Sequence, residues 1–374
     1  MNGTSLQSFS SVGADIGAID LVLAVRTFVG DIEFFESPLS DPDRVGKLLE
    51  GLSGKVLPSV GSGAWRLSGS LHSEAGVLVE KHREPVCIWA AIEHILTTQS
   101  ETGSLSAYRF EYGNNASSCD YPISSPYPSL ESIVSLKVRV TMNELNSSFP
   151  FLLVNVKTGT SFYRVDSPSR FVRVGGSSIG SSTVNALLKH LTGADSILGS
   201  AELARKLDNP SAADLLVSDI YGGDCESIGL PGNIIASCFG KANVGEVDSP
   251  DIAKSLLDLI SINTAQLANL HASLNGCRTA VIVGSIGDCP EVSECIQRVL
   301  MILSKNKDTL KAIFFEKSRY LGCLGALLRR EKLVSGLSEK YRDLPVNTVT
   351  MEEGVDDETY THLRVTTLPV VSRF

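Results

Sequence analysis

The chain has 374 residues, 43% hydrophobic and 20% charged, which is too apolar for a disordered chain and long enough for two folded lobes. Its formal charge of −9 argues against non-specific binding to nucleic acid or to an anionic membrane. No apolar run reaches membrane-spanning length, and MNGTSLQSFSS lacks the basic and apolar regions of a secretory leader, so a cytoplasmic protein is expected.

The eight cysteines, at 87, 119, 225, 238, 277, 289, 295 and 323, form no CxxC and no cysteine/histidine pair at zinc spacing. Reduced, mostly buried thiols follow, and the glycosylation-like triplets at Asn115 and Asn146 are read as chance.

The first apolar run opens with ADIGAID (14–20). Asp-Ile-Gly after a short apolar lead is how many phosphate-handling strands begin to turn. Ala18, Ile19 and Asp20 follow where a phosphate cradle would want glycine and a hydroxyl, so a phosphate turn and a plain hairpin both stay open. IDLVLAVRTF (19–28) reads as a strand, and Ser40 and Asp41 are candidate caps for a helix at 43–52. KVLPSVGSGAWRL (55–67) reads as a strand and turn carrying Gly61-Ser62-Gly63, and EPVCIWAAIEHILTT (84–98) as a helix with Pro85 in its first turn. Between 99 and 130 the composition shifts to Ser, Tyr, Pro and Asn, as in surface loops and short strands.

SIVSLKVRVTM (132–142) reads as a strand, and PFLLVNVKTGTSFYRV (150–165) as a hairpin around Lys157-Thr158-Gly159. Helices are expected at 181–193, 250–274, 292–305 and 321–334, with strands at 278–286 and 310–315. These elements divide the chain into an N-terminal lobe at 1–148, a C-terminal lobe at 149–334 and an acidic extension at 335–374. DIYGGDCESIGLPGNIIASCFGK (219–241), read bare, is a glycine-punctuated loop followed by a short helix.

That last stretch resembles the DIYGGDY…GLPG…ASSFG segment of the eukaryotic-type (type II) pantothenate kinases. FVRVGGSSIGSSTVNALLKHLTG (171–193) is similar to that family's KRVTGTSLGGGTF…LLTG run, 149–165 to its PLLVVNIGSG strand and turn, and 310–328 to its LKALFLE…YFGAVGALL. The likeness runs in order from about Val12 to Leu328, dense after 149 and patchy before. It implies a two-lobed α/β fold of the actin-like, sugar-kinase-type (ribonuclease H-like) ATPase class, working as a dimer. It also implies phosphorylation of pantothenate with ATP and Mg2+, the committed step toward coenzyme A, with coenzyme A or acyl-coenzyme A as inhibitor.

Carried over position by position, the resemblance makes Glu84 the catalytic base, with Glu80 as the alternative register, and assigns Arg173, Thr158 and Tyr221 to the acceptor substrate. Asp15 and Gly17 stand in the first phosphate turn, Asp15 facing the metal. Lys157 and Gly159 form the second, Gly180, Ser181 and Ser182 a helix start, and Gly284 a nucleotide-side turn. The departures are concentrated in the first turn. DIGGT becomes DIGAI, and Val22 replaces a lysine, so a hydroxyl and a countercharge are missing; Lys157 is a candidate replacement for that charge from across the cleft. Cys225 replaces a second tyrosine of the substrate motif. Three readings follow: an active pantothenate kinase, a degenerate subunit completing a composite site with an intact paralogue, and another small-molecule kinase on the same fold.

Overall fold

The structure is a computed structural model that describes residues 9–98, 105–112, 127–207, 212–227, 229–304 and 310–336. Asn115, Cys119 and the acidic extension beyond 336 lie outside the described residues. Two compact units are distinguished: the described residues up to Ile92 together with those from Tyr320, and Glu93–Arg319.

In the first unit, β1 (Phe9–Ile16) pairs antiparallel with β2 (Asp20–Thr27), and β2 with β3 (Ile32–Pro38). β4 (Val56–Val60) then lies parallel to β1, and β5 (Leu78–Lys81) parallel to β4, giving the order β3-β2-β1-β4-β5. The helix Leu321–Gly336 packs on this sheet. Its backbone approaches so closely that a Cβ on Gly13 of β1 would collide with Cys323 and Leu327.

The second unit contains β6 (Ala107–Phe110), β7 (Lys137–Arg139), β8 (Phe151–Val156), β9 (Thr160–Ser167), β10 (Arg170–Ser177), β11 (Leu215–Leu216), β12 (Ile235–Ser237), β13 (Thr279–Gly284) and β14 (Lys311–Phe315). β8, β9 and β10 form an antiparallel meander, with β13 parallel to β8 and β14 parallel to β13. The order β10-β9-β8-β13-β14 repeats that of the first unit, extended past β14 by β6 and β7. Three antiparallel strands followed by two parallel ones is the ribonuclease H-like plan. Its presence twice is the expected actin-like, sugar-kinase-type α/β class. β8 and β13 are buried along their whole length, which is why they read as unbroken apolar runs.

The expected boundary at 148 does not coincide with this division. β6 pairs onto β14 and β7 onto β6, so Ala107–Phe110 and Lys137–Arg139 belong to the second sheet, and the helix after Tyr320 belongs with β1. The expected strand at 132–142 is cut short by helix at both ends: Ser129 accepts from the Ser132 N–H at 3.2 Å and caps Leu130–Ser135, and Thr141 caps Met142–Asn146. Between these helices Lys137–Arg139 forms β7. At 219–241 the helix comes first, as Val217–Tyr221, and the region after the glycines carries β12 rather than a helix. The turn after β4 winds into a short helix, Ser62–Arg66. The long helix Ser249–Leu274 forms as expected. Asp248 accepts from the Asp251 N–H at 3.2 Å in a reciprocal capping arrangement, and Pro250 sits in the first turn.

Candidate functional site

ADIGAID is a hairpin in geometry. β1 ends at Ile16, the Gly17 N–H donates to the Asp20 carbonyl at 2.8 Å, and β2 begins. Ile19 is 56% exposed at the tip, and the Asp20 carboxylate folds back against Gly17. Val22 faces Asp15 across the β1–β2 ladder and is buried, so that position offers the turn no charge. Asp15 itself is buried at the strand end. Gly61 and Gly322 flank its carboxylate, and a Cβ on either would press on an Asp15 oxygen. Gly61 has φ 90, a backbone that other residues adopt only under strain.

Glu84 is half-buried and opens the helix Glu84–Thr98, where a carboxylate also suits the helix dipole. Glu80, the alternative register, is engaged elsewhere: His82 Nε2 stands 2.9 Å from Oε1, and Arg330 Nη1 2.5 Å from Oε2. Burial raises the Glu80 carboxyl, but His82 and Arg330 outweigh it and hold it below its ordinary 4.5. A carboxyl lowered by folding adds stability above its unfolded value, and that stability is lost as pH falls through the folded value. Arg330→Met should therefore be less stable than the parent at neutral pH. The gap should narrow below pH 4.5, as thermal unfolding followed against pH would record.

In the second unit, β8 and β9 are joined by Lys157, Thr158 and Gly159. The Lys157 N–H donates to the Gly159 carbonyl at 2.8 Å. The Lys157 carbonyl accepts from the Ser181 N–H at 2.7 Å and the Ser181 hydroxyl at 2.8 Å, tying this turn to the start of the helix Ser181–Thr192. A Cβ at Gly180 would strike Lys157 and Gly159. Gly284 closes β13 with φ 105 and lies against the Val156 backbone, where a side chain has neither the torsion nor the room. Lys157, Gly159, Gly180, Ser181 and Gly284 thus converge, with Ser182 half-buried in the first helical turn and Thr158 exposed at the tip. A helix start suits an anion through the N–H groups of its first turn, of which Ser181 gives its own, with its hydroxyl, to Lys157.

Arg173 is exposed on β10, its guanidinium lying along Gly176. The His271 imidazole occupies the room a Cβ at Gly175 would need and stacks on Phe162 with ring centroids 4.6 Å apart. Tyr221 ends its short helix 58% exposed, whereas Cys225 is buried and paired with Leu230 through the backbone. The acids of this loop hold the loop itself. Asp219 accepts from the Leu216 N–H at 2.7 Å and pairs with Lys241 at 3.0 Å, and these two contacts, in that order, lower its carboxyl. Asp224 accepts from the Gly232 N–H at 2.6 Å.

Residue-by-residue reading missed His271, Gly322 and Arg66, whose Nη2 donates to the Ala18 carbonyl at 3.0 Å. Only the Gly322/Gly325 pair left a trace, as small residues on one helix face in LGCLGALL. The described cysteines are free, and all but Cys238 are buried. Burial and the neighbouring Asp258 push the Cys295 thiol up to about 12.

A profile of the Fumble family matches residues 32–329, most of the chain. The chain belongs to the pantothenate kinase family. It is 38% identical over 196 residues to a pantothenate kinase of Schizosaccharomyces pombe, covering 50% of this chain and 48% of that one. It is 31% identical over 281 residues to a 4'-phosphopantetheine phosphatase of Mus musculus, covering 74% of this chain and 30% of that one. The chain thus spans half or less of the length of these relatives. Among solved structures, a glucokinase from Balamuthia mandrillaris in complex with glucose aligns at TM-score 0.41 and 11% identity, covering 86% of this chain and 93% of that one. The first turn carries Ala18 and Ile19, with Val22 behind it, and the turn at Lys157 carries the Thr158 hydroxyl and Gly159. Among the described residues, no helix is long and apolar enough to cross a membrane.

Proposed function

We propose that the chain is a pantothenate kinase, transferring the terminal phosphoryl group of ATP to pantothenate to give 4'-phosphopantothenate, the first step of coenzyme A biosynthesis. The observation that carries this reading is the convergence of Lys157, Gly159, Gly180, Ser181 and Gly284 in a chain of this family. Glu84 takes the proton of the acceptor hydroxyl. Arg173 binds the pantothenate carboxylate through its planar fork, with Thr158 and Tyr221 beside it.

A buried carboxylate with glycines on two sides fits a hard cation, so Asp15 would hold Mg2+. Bound there, the ion neutralises charge on the transferring phosphoryl group. Lys157 stands in the turn that anchors the helix start and adds a positive charge to the nucleotide phosphates. Lys157→Ala should therefore weaken ATP binding by about tenfold, measurable by calorimetry. Coenzyme A or its thioesters act as inhibitors, and the working form is a cytoplasmic dimer.

A second reading is favoured by the exposed Ile19 and buried Val22: a subunit whose first turn is too poor to work alone, paired with an intact paralogue. One assay separates them. ATP-dependent phosphorylation of pantothenate is measured with the purified chain, then with a paralogue from the same cell. Turnover by the chain alone supports the kinase reading. Turnover that appears only with the paralogue supports the partner reading, and none in either case rejects both.

A further inference from the structure

The first turn, Gly17 to Asp20, carries no cation of its own, yet one reaches it from elsewhere in the chain. Arg66 ends the short helix Ser62–Arg66, is exposed, and donates through Nη2 to the Ala18 carbonyl at 3.0 Å. No carboxylate lies within ion-pair distance of its guanidinium among the described residues. A guanidinium has five N–H donors in a planar fork, and this contact uses one, so the rest of the fork stays available beside the turn. The neighbouring Trp65 is 69% exposed and carries Lys81 over its ring at 4.6 Å. The nearby acids are otherwise placed, Asp15 buried at the strand end and Asp20 folded onto Gly17.

We propose that Arg66 is a phosphate-binding residue of this turn, supplying to a nucleoside triphosphate the countercharge that the buried Val22 cannot. The inference rests on the nucleotide-binding reading above and names a residue that reading does not include. It explains how a hairpin with Ala18 and Ile19 at its tip retains affinity for a polyanion: the positive charge arrives on a side chain clipped to the hairpin carbonyl. A bidentate guanidinium also holds phosphate oxygens in a set orientation, which a backbone lacking Gly and Thr no longer does.

The test uses the full chain with a non-hydrolysable ATP analogue and with adenosine. Arg66→Ala and Arg66→Gln should each weaken the analogue by about tenfold, whereas Arg66→Lys, which keeps the charge but not the fork, should recover part of the loss. Adenosine affinity should be the same in all four proteins. Gln keeps a donor for the Ala18 carbonyl without the charge, so an Arg66→Gln protein that binds the analogue like the parent would overturn the proposal. Equal weakening of adenosine would overturn it too, by showing a merely structural role. If the unmodified chain binds no adenine nucleotide, the kinase reading fails as well. If it binds and turns over while the Arg66 variants are unaffected, only the role of Arg66 is lost.

Discussion

Glu84→Gln should lower turnover of pantothenate by about 10²–10⁴-fold, the usual contribution of a positioned general base. Gln keeps the size and the helix-start position but cannot accept a proton, so ATP affinity should stay close to that of the parent. Glu80→Gln supplies the contrast. Its carboxylate is bound to His82 and Arg330, so that change should lower stability and leave turnover near the parent's. Initial rates over a range of pantothenate concentrations, with thermal unfolding on the same samples, separate the two. A Glu80→Gln protein that is inactive yet as stable as the parent would move the base to the other register.

Asp258→Ala should destabilise the chain by about 3–5 kcal/mol, the range for breaking a buried ion pair from one side. Asp258 is fully buried, with Lys254 one helical turn before it and 1% exposed, and the two side chains form an ion pair. The Tyr127 hydroxyl donates to Asp258 at 3.0 Å, and the Lys254 ammonium lies 4.4 Å from the Tyr127 ring centroid. Removing the carboxylate takes from the buried Lys254 ammonium the group it pairs with and leaves the tyrosine hydroxyl without this acceptor. Replacing both charges, as in Lys254→Met with Asp258→Leu, removes the cause of the penalty and should recover most of the lost stability. Urea unfolding of the parent, both single variants and the double variant closes the cycle. If the single and double changes cost the same, the pair is not what orders this helix.

Much of the architecture was legible because its signals are local. FLLVNV and TAVIVG are continuous apolar runs because β8 and β13 are covered on both faces. The helix Ser249–Leu274 announces itself through Asp248, Pro250 and Asp251, and the helix Ser181–Thr192 ends at Gly193 in the left-handed conformation. The elements not foreseen are short or lie at sheet margins. β3 flanks Phe34 and Phe35 with Glu33 and Glu36 at an edge, and β5 is four residues long. The stretch 132–142 misled because Val and Ile fit a strand, while the capping hydroxyls of Ser129 and Thr141 decided for helices.

The candidate site divides along the same line. Sequence by itself determined the family, through long motifs in order, and it showed a first turn, residues 14–22, with no hydroxyl and no lysine, because these are facts of residue type. Only tertiary structure could decide which distant groups meet. Arg66 reaches the Ala18 carbonyl across 48 positions, Gly322 makes room for the Asp15 carboxylate from the far end of the chain, and His271 fills the space that Gly175 leaves open. Local propensities are set by neighbouring residues and can be read along the chain. A charge delivered to a turn depends on sheet pairing and helix packing, which bring together residues that no local pattern connects.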